Sequence, residues 1–256
     1  MRVRIRSLAV AIFAAASLAA LPATAGADGF PLVGWWPMNE GSGQVVRDWS
    51  GHGNNGQLGS TAGVDANDPS WIPGVFAGSA LRFDGNDFVR IPDSNSLEPS
   101  KLTVAAWFRG TSSPGDHRYI VTKGAADCNT GSYGLYTGEG GGVAFYIGTG
   151  TGIFDFVRSP EAPASVWDGK WHNAAGTFDG KTVRLFLDGV EVGNGTPTTA
   201  AVAYNPPDGG GFIGDYHSDS CDLFLTGDVD GVQIWSTPLP IADIWKFLKT
   251  LLTSSR

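Results

Sequence analysis

Carboxylates and amides at alternating positions are how a loop cages calcium, because each oxygen must turn toward one ion at about 2.3–2.6 Å. Asp48, Ser50 and Asn54, with the carbonyls around Gly56, have that spacing. The same residue types suit Asx turns in a glycine-rich loop, and spacing alone leaves the two readings level. Two further acidic groups follow. Asp84, Asp87 and Asp93 surround an Asp84-Gly85 turn signal, and Asp215, Asp219 and Asp222 flank Cys221. Hairpin-turn chemistry accounts for the first group without an ion, and a solvated rim accounts for the second.

Other chemistries are argued against by what surrounds their residues. Gly51-His52-Gly53-Asn54-Asn55-Gly56 matches G-x-G-x-x-G, but no strand precedes it and no helix follows, so a dinucleotide is not expected. The four histidines are isolated, without H-E-x-x-H spacing, and His172 beside Trp171 reads as a packed strand residue. A Gly-x-Ser-x-Gly elbow and a Walker loop are absent. Nine Trp and six Tyr raise the question of sugar stacking. Trp36, Trp107, Trp171 and Trp235 fall in strand-like runs, where burial is the expected role. Trp49, Trp71, Trp167, Tyr133 and Tyr216 fall in loop-like stretches, and of these Tyr133 and Tyr216 are the expected ligand-binding residues. Their loops also carry Cys128 and Cys221, and a disulfide between the two would pin those loops together. Such a bridge would contribute about 4–5 kcal/mol in the chain-entropy account.

A disulfide requires an oxidising compartment, and the N-terminus speaks to that. Arg2, Arg4 and Arg6 precede an apolar run from Leu8 to Leu21, and Ala23-Thr24-Ala25 has the small-x-small form of a signal cleavage site. Residues 1–25 therefore read as an export signal, and the mature chain as secreted and extracellular. Without them the chain carries 14 Lys/Arg against 25 Asp/Glu, a net charge of −11. That balance, with no basic cluster after Arg6, argues against nucleic acid. No second long apolar stretch suggests membrane insertion.

The elements that position these residues are strands. All 37 glycines lie after residue 25, without a collagen period, and mark frequent turns. Between them run short alternating or β-branched segments: 32–36, 80–83, 88–91, 102–108, 119–122, 143–147, 171–178, 183–187 and 229–235. Asp179-Gly180 and Asp188-Gly189 are two-residue hairpin signals that join 171–178, 183–187 and Val190-Glu191-Val192 into a meander. One stretch, Ile241 to Leu252, has apolar residues at helical spacing.

Six ordered segments resemble laminin G-like jelly-roll domains of the concanavalin A-like lectin/glucanase superfamily. They are Trp36 to Gly43 with Asp48 to Gly56, Ala80 to Gly85, Leu102 to Phe108, Trp171 to Gly180, Leu187-Asp188-Gly189, and Phe224 to Trp235. The resemblance implies an all-β, two-sheet antiparallel jelly-roll sandwich over residues 30–245, with a short C-terminal helix ending in a 246–256 tail. It implies a ligand met by rim loops or the concave face, and a C-terminal segment closing near the first strand. It also brings Asp230 toward Asp48 and Asn54 as a structural calcium set. One departure stands out: the family usually has Glu where this chain has Gly231.

The reading that follows is a secreted, non-catalytic binding module, recognising an extracellular glycan or a cell-surface protein. The alternative on the same fold is a glycoside hydrolase or polysaccharide lyase. Glycosidases need two carboxylates about 5–10 Å apart. The chain has only five Glu, none in the Glu-x-Asp-x-x-Glu pattern of sandwich-fold hydrolases, and Asp228 and Asp230 read as structural.

Overall fold

The computed structural model describes residues 31–75, 78–124, 131–150, 152, 155–204, 209–216, 221, 223–240 and 242–243. Among these residues, seventeen strands follow in chain order. The first eight are β1 (Leu32–Trp36), β2 (Val45–Val46), β3 (Gly56–Leu58), β4 (Ser70–Pro73), β5 (Ser79–Asp84), β6 (Val89–Ile91), β7 (Leu102–Arg109) and β8 (Tyr119–Lys123). Next come β9 (Tyr133–Thr137), β10 (Val143–Gly148), β11 (Phe156–Arg158), β12 (His172–Phe178), β13 (Thr182–Leu187), β14 (Val190–Glu191), β15 (Thr196–Pro197), β16 (Gly211–Ile213) and β17 (Thr226–Trp235).

They form two antiparallel sheets. The nine-stranded sheet runs β14-β13-β12-β7-β17-β5-β4, with β1 also on β17 and β15 on β13. The eight-stranded sheet runs β11-β10-β9-β8-β16-β6-β3-β2. This is the expected jelly-roll sandwich, and both Asp-Gly hairpins are present: β12 pairs with β13, and β13 with β14. Asp188 and Gly189 both have positive φ, 47° and 78°, as a type I′ turn demands. Ile241 to Leu252, the expected helix, lies outside the described residues except for Ala242 and Asp243.

Alternation along each strand builds the core between the sheets. Leu81, Phe83, Val104, Phe108, Phe178 and Leu185 from one sheet meet Ile91, Leu135, Phe145, Ile147 and Ile213 from the other. One contact sets how closely the layers approach. Gly176 on β12 faces Phe145 on β10, and a Cβ there would lie 2.0 Å from the Phe145 ring. Gly176→Ala should therefore destabilise by about 2 kcal/mol through overpacking. Denaturant unfolding checks it, and an unchanged midpoint would show that Phe145 has room to move.

β17 organises the larger sheet. Its first half pairs with β5, its second half with β1, and its other edge with β7. Ser236 N–H donates to the Pro31 carbonyl at 3.0 Å, so the chain after Trp235 closes beside the first strand, as expected. Between Asp230 and Gln233 the register against β7 shifts, and Gly231 sits in this bulge at φ 55°. Glycine reaches that left-handed conformation without the steric cost other residues bear there. The departure at Gly231 thus has a backbone reason.

Candidate functional site

Where β10 and β11 form the edge of the eight-stranded sheet, Tyr146 stands opposite Arg158 and Gly148 opposite Phe156. Phe145 and Ile147 point into the core, so Ala144 and Tyr146 lie on the sheet's outer face. An aromatic layer covers that face: Tyr119, Tyr136, Tyr146, Phe212 and Tyr216, with Phe88 beside them. Ring centroids are 5.5 Å apart for Tyr119–Tyr136, 5.2 Å for Tyr136–Tyr146 and 5.0 Å for Tyr119–Tyr216. These rings are all buried, and burial raises the Tyr119, Tyr136 and Tyr146 phenols above their ordinary range.

The layer reaches solvent at Phe156, half-buried and edge-on to Tyr146 at 6.1 Å. Phe156 to Glu161, with Thr196 and Pro197 of β15, line an open groove of about 560 Å3. Arg158 stands between two carboxylates, 3.9 Å from Glu139 and 3.8 Å from Glu161. The glycine run before β10 makes this possible. Gly142 N–H donates to Glu161 at 2.9 Å, and a Cβ on Gly138 would lie 2.1 Å from that carboxylate. An apolar ring beside a guanidinium and the Glu161 carboxylate, which the Gly142 N–H fixes, can meet the apolar face of a sugar and its hydroxyls.

The residues expected from sequence are placed differently. Tyr133 lies in β9, not in a loop; it is fully buried against the core, and its hydroxyl donates to the Leu97 carbonyl at 3.0 Å. Tyr216 is 1% exposed, packed on Tyr119. Neither ring presents a face to solvent, so both are corrected as stacking residues: alternation put Tyr133 inside, and the aromatic layer absorbs Tyr216. Trp167 is also buried, donating to the Gly141 carbonyl, while Trp49 is exposed and meets Trp35 edge-on at 5.7 Å. His172 does more than pack: Asp188 lies 2.6 Å from Nδ1 and Asp168 3.2 Å from Nε2. Burial opposes its charge, but the two carboxylates outweigh that and raise its pKa.

Asp48, Asn54 and Asp230 serve separate local bonds. The Asp48 carboxylate accepts from Trp35 N, Ser50 N, Ser50 Oγ and Asn54 N at 2.8–3.0 Å. Asn54 Nδ2 donates to the Val33 carbonyl and Ser96 Oγ, and the Asn54 carbonyl accepts from Trp36 Nε1. Asp230 accepts from Val75 N at 2.9 Å, and burial pushes its pKa up to about 7. A calcium ligand set needs lone pairs turned outward, and the four donors on Asp48 occupy them. The three residues do not fit one shared ion, and no cluster of three or more His, Cys, Asp or Glu suited to a metal occurs among the described residues. At the second acidic group, Asp87 accepts from Asp84 N at 2.8 Å, as a turn would have it. Cys221 is half-buried; Cys128 lies outside the described residues, as do Asp219 and Asp222.

The groove was not legible beforehand. β11 is three residues long, without alternation or a bounding turn dipeptide, and Arg158 gains meaning only once Glu139 and Glu161 are beside it.

Comparison with solved structures gives the same architecture. Domain 4 of AbnA, a GH43 extracellular arabinanase from Geobacillus stearothermophilus, in complex with arabinotriose, is similar over 85% of this chain and 98% of its own, at 16% identity and TM-score 0.64. A Trypanosoma rangeli sialidase in complex with sialic acid matches over 88% of this chain at 14% identity and TM-score 0.58, and this chain spans 33% of its length. A botulinum neurotoxin type C structure, whose cell entry depends on two ganglioside molecules, matches over 86% at 11% identity and TM-score 0.61, with 51% of its length covered. No curated protein matches the sequence. A laminin G-like family model, described as the concanavalin A-like lectin/glucanases superfamily, matches residues 83–244. With the two sheets and their pairing, that match places the chain in the concanavalin A-like lectin/glucanase superfamily.

Proposed function

We propose that this chain is a secreted, non-catalytic carbohydrate-binding module whose glycan lies in the groove along β11. The observation that carries this reading is Arg158 between Glu139 and Glu161, beside the exposed edge of an aromatic layer. Phe156 is positioned to take the apolar face of a sugar, and Arg158 and Glu161 its hydroxyls. A glycosidase needs the scissile bond between its two acids. Here a guanidinium fills that space, which supports binding over hydrolysis. The two acids that burial raises to about 7, Asp87 and Asp230, do not line the groove. The arabinanase domain with arabinotriose, matched over nearly its whole length, adds weight to an oligosaccharide ligand.

Export by residues 1–25 and a Cys128–Cys221 disulfide belong to the same proposal. Mass spectrometry of the secreted chain, with and without reductant, tests both.

The binding test is a glycan array followed by calorimetry on the strongest hit, with and without chelator. Phe156→Ala and Arg158→Ala should each weaken binding about tenfold, a loss of about 1.4 kcal/mol. A blank array from folded protein would sink the glycan assignment and favour a protein ligand. Reducing-end release from a polysaccharide would sink the non-catalytic one.

A further inference from the structure

The outer face of the nine-stranded sheet carries a charged row that the groove does not use. Asp228 on β17 stands opposite Arg82 on β5 and opposite Arg109 on β7. Arg82 donates Nε to Asp228 Oδ1 at 2.8 Å and Nη2 to Oδ2 at 3.2 Å. Arg109 donates Nε and Nη2 to Oδ2 at 2.8 and 2.5 Å, and its guanidinium lies 4.6 Å over the Trp171 ring. One carboxylate thus holds two guanidiniums, leaving a surplus positive charge on a chain whose net charge is −8.

Burial orders the charges by depth. The Asp228 side chain is 6% exposed, Arg109 29% and Arg82 55%. Arg109 alone would neutralise the buried carboxylate, so Arg82 adds cation beyond what the fold requires. Among the described residues, Asp228 is also the charged group that acts appreciably on Arg82. Each guanidinium has five N–H donors and spends two on Asp228. The remaining donors are held in place before any ligand arrives, which lowers the ordering cost of binding.

We infer that Arg82 and Arg109 form a second binding site, one that takes the carboxylate of an acidic polysaccharide. Planar forks match a planar carboxylate, and the Trp171 ring beneath the Arg109 guanidinium holds that fork in its orientation. The row lies on central strands, whereas the groove lies at the sheet edges, so each site fails independently of the other.

The test is calorimetry on the full chain with oligogalacturonate and a neutral oligosaccharide of the same length, at low and high salt. Oligogalacturonate should bind more tightly than its neutral counterpart and weaken with salt. Arg82→Gln should weaken it about tenfold with an unchanged melting temperature, whereas Arg158→Ala should leave it unaffected. Equal binding of the acidic and neutral sugars, or full uronate affinity in Arg82→Gln, would overturn the inference. Preference for a poly-glutamate peptide over the uronate would overturn the glycan half of it.

Discussion

Lys123→Ala is expected to lower stability by about 3 kcal/mol, read as a drop in melting temperature of about 6–12 °C. Lys123 closes β8 and is 2% exposed, among the largest fully buried side chains. Its ammonium donates to Asp93 at 2.9 Å, to Glu98 at 3.3 Å and to the Gly209 carbonyl. Three separate segments therefore meet on one nitrogen. Hydrogen bonding to Lys123 holds the Asp93 carboxyl below its usual range. Asp93 and Glu98 are partly exposed and regain water when the lysine is removed, which keeps the loss short of the extreme for a buried pair. Lys123→Met keeps the aliphatic stem and should lose less. Equal melting of parent and alanine variant would show that the ammonium contributes nothing net.

Stability is expected to fall by about 2–4 kcal/mol between pH 4 and pH 8, and Asp230→Asn should restore about 2 kcal/mol of it at pH 8. Asp230 is 3% exposed at the β17 bulge, and burial pushes its pKa to about 7. The unfolded chain ionises near the ordinary carboxylate value, so between the two values the folded state holds a proton that the unfolded state has released. Stability then declines as pH rises through that window. Asp87, raised to about 7 chiefly by burial, acts in the same direction. So does His172: its raised pKa gives stability that is complete below the unfolded value and lost as pH rises through the folded one. An asparagine at 230 still offers a carbonyl to Val75 N while removing the charge. Urea unfolding across pH decides it. Curves for parent and Asp230→Asn should converge near pH 4, part progressively as pH rises to about 7 and run parallel above it, and curves that stay parallel from pH 4 upward would show that Asp230 ionises freely in the fold.

Much of the sandwich was legible because its signals are local. The runs at 32–36, 102–108, 171–178 and 183–187 recur as β1, β7, β12 and β13 within a residue or so, and both Asp-Gly turns sit where expected. β2, β3, β15 and β16 escaped notice because two or three residues carry no period. Tyr133 misled for a related reason: Gly131-Ser132 before it and Gly134 after it look like a loop, yet β9 is flanked by β8 and β10 and wholly buried. The candidate sites were less legible than the fold. Arg82, Arg109 and Asp228 are separated by as many as 146 positions, and only the register β5-β17-β7 aligns them. Asp48 and Asn54 stood out in the sequence as calcium ligands, and only their hydrogen-bond partners show that they fasten β1 to its neighbours.

The strand that fills the middle of the nine-stranded sheet is also the last of the described strands in chain order. Until residues 226–235 emerge, β5 and β7 have no partner between them and β1 has no place to pair. A nascent chain therefore cannot complete either the sheet or the charged row during translation, and its assembly depends on long-range pairing, which is slow. Such delayed closure would suit a polypeptide threaded across a membrane before it folds, since premature compaction would block the passage.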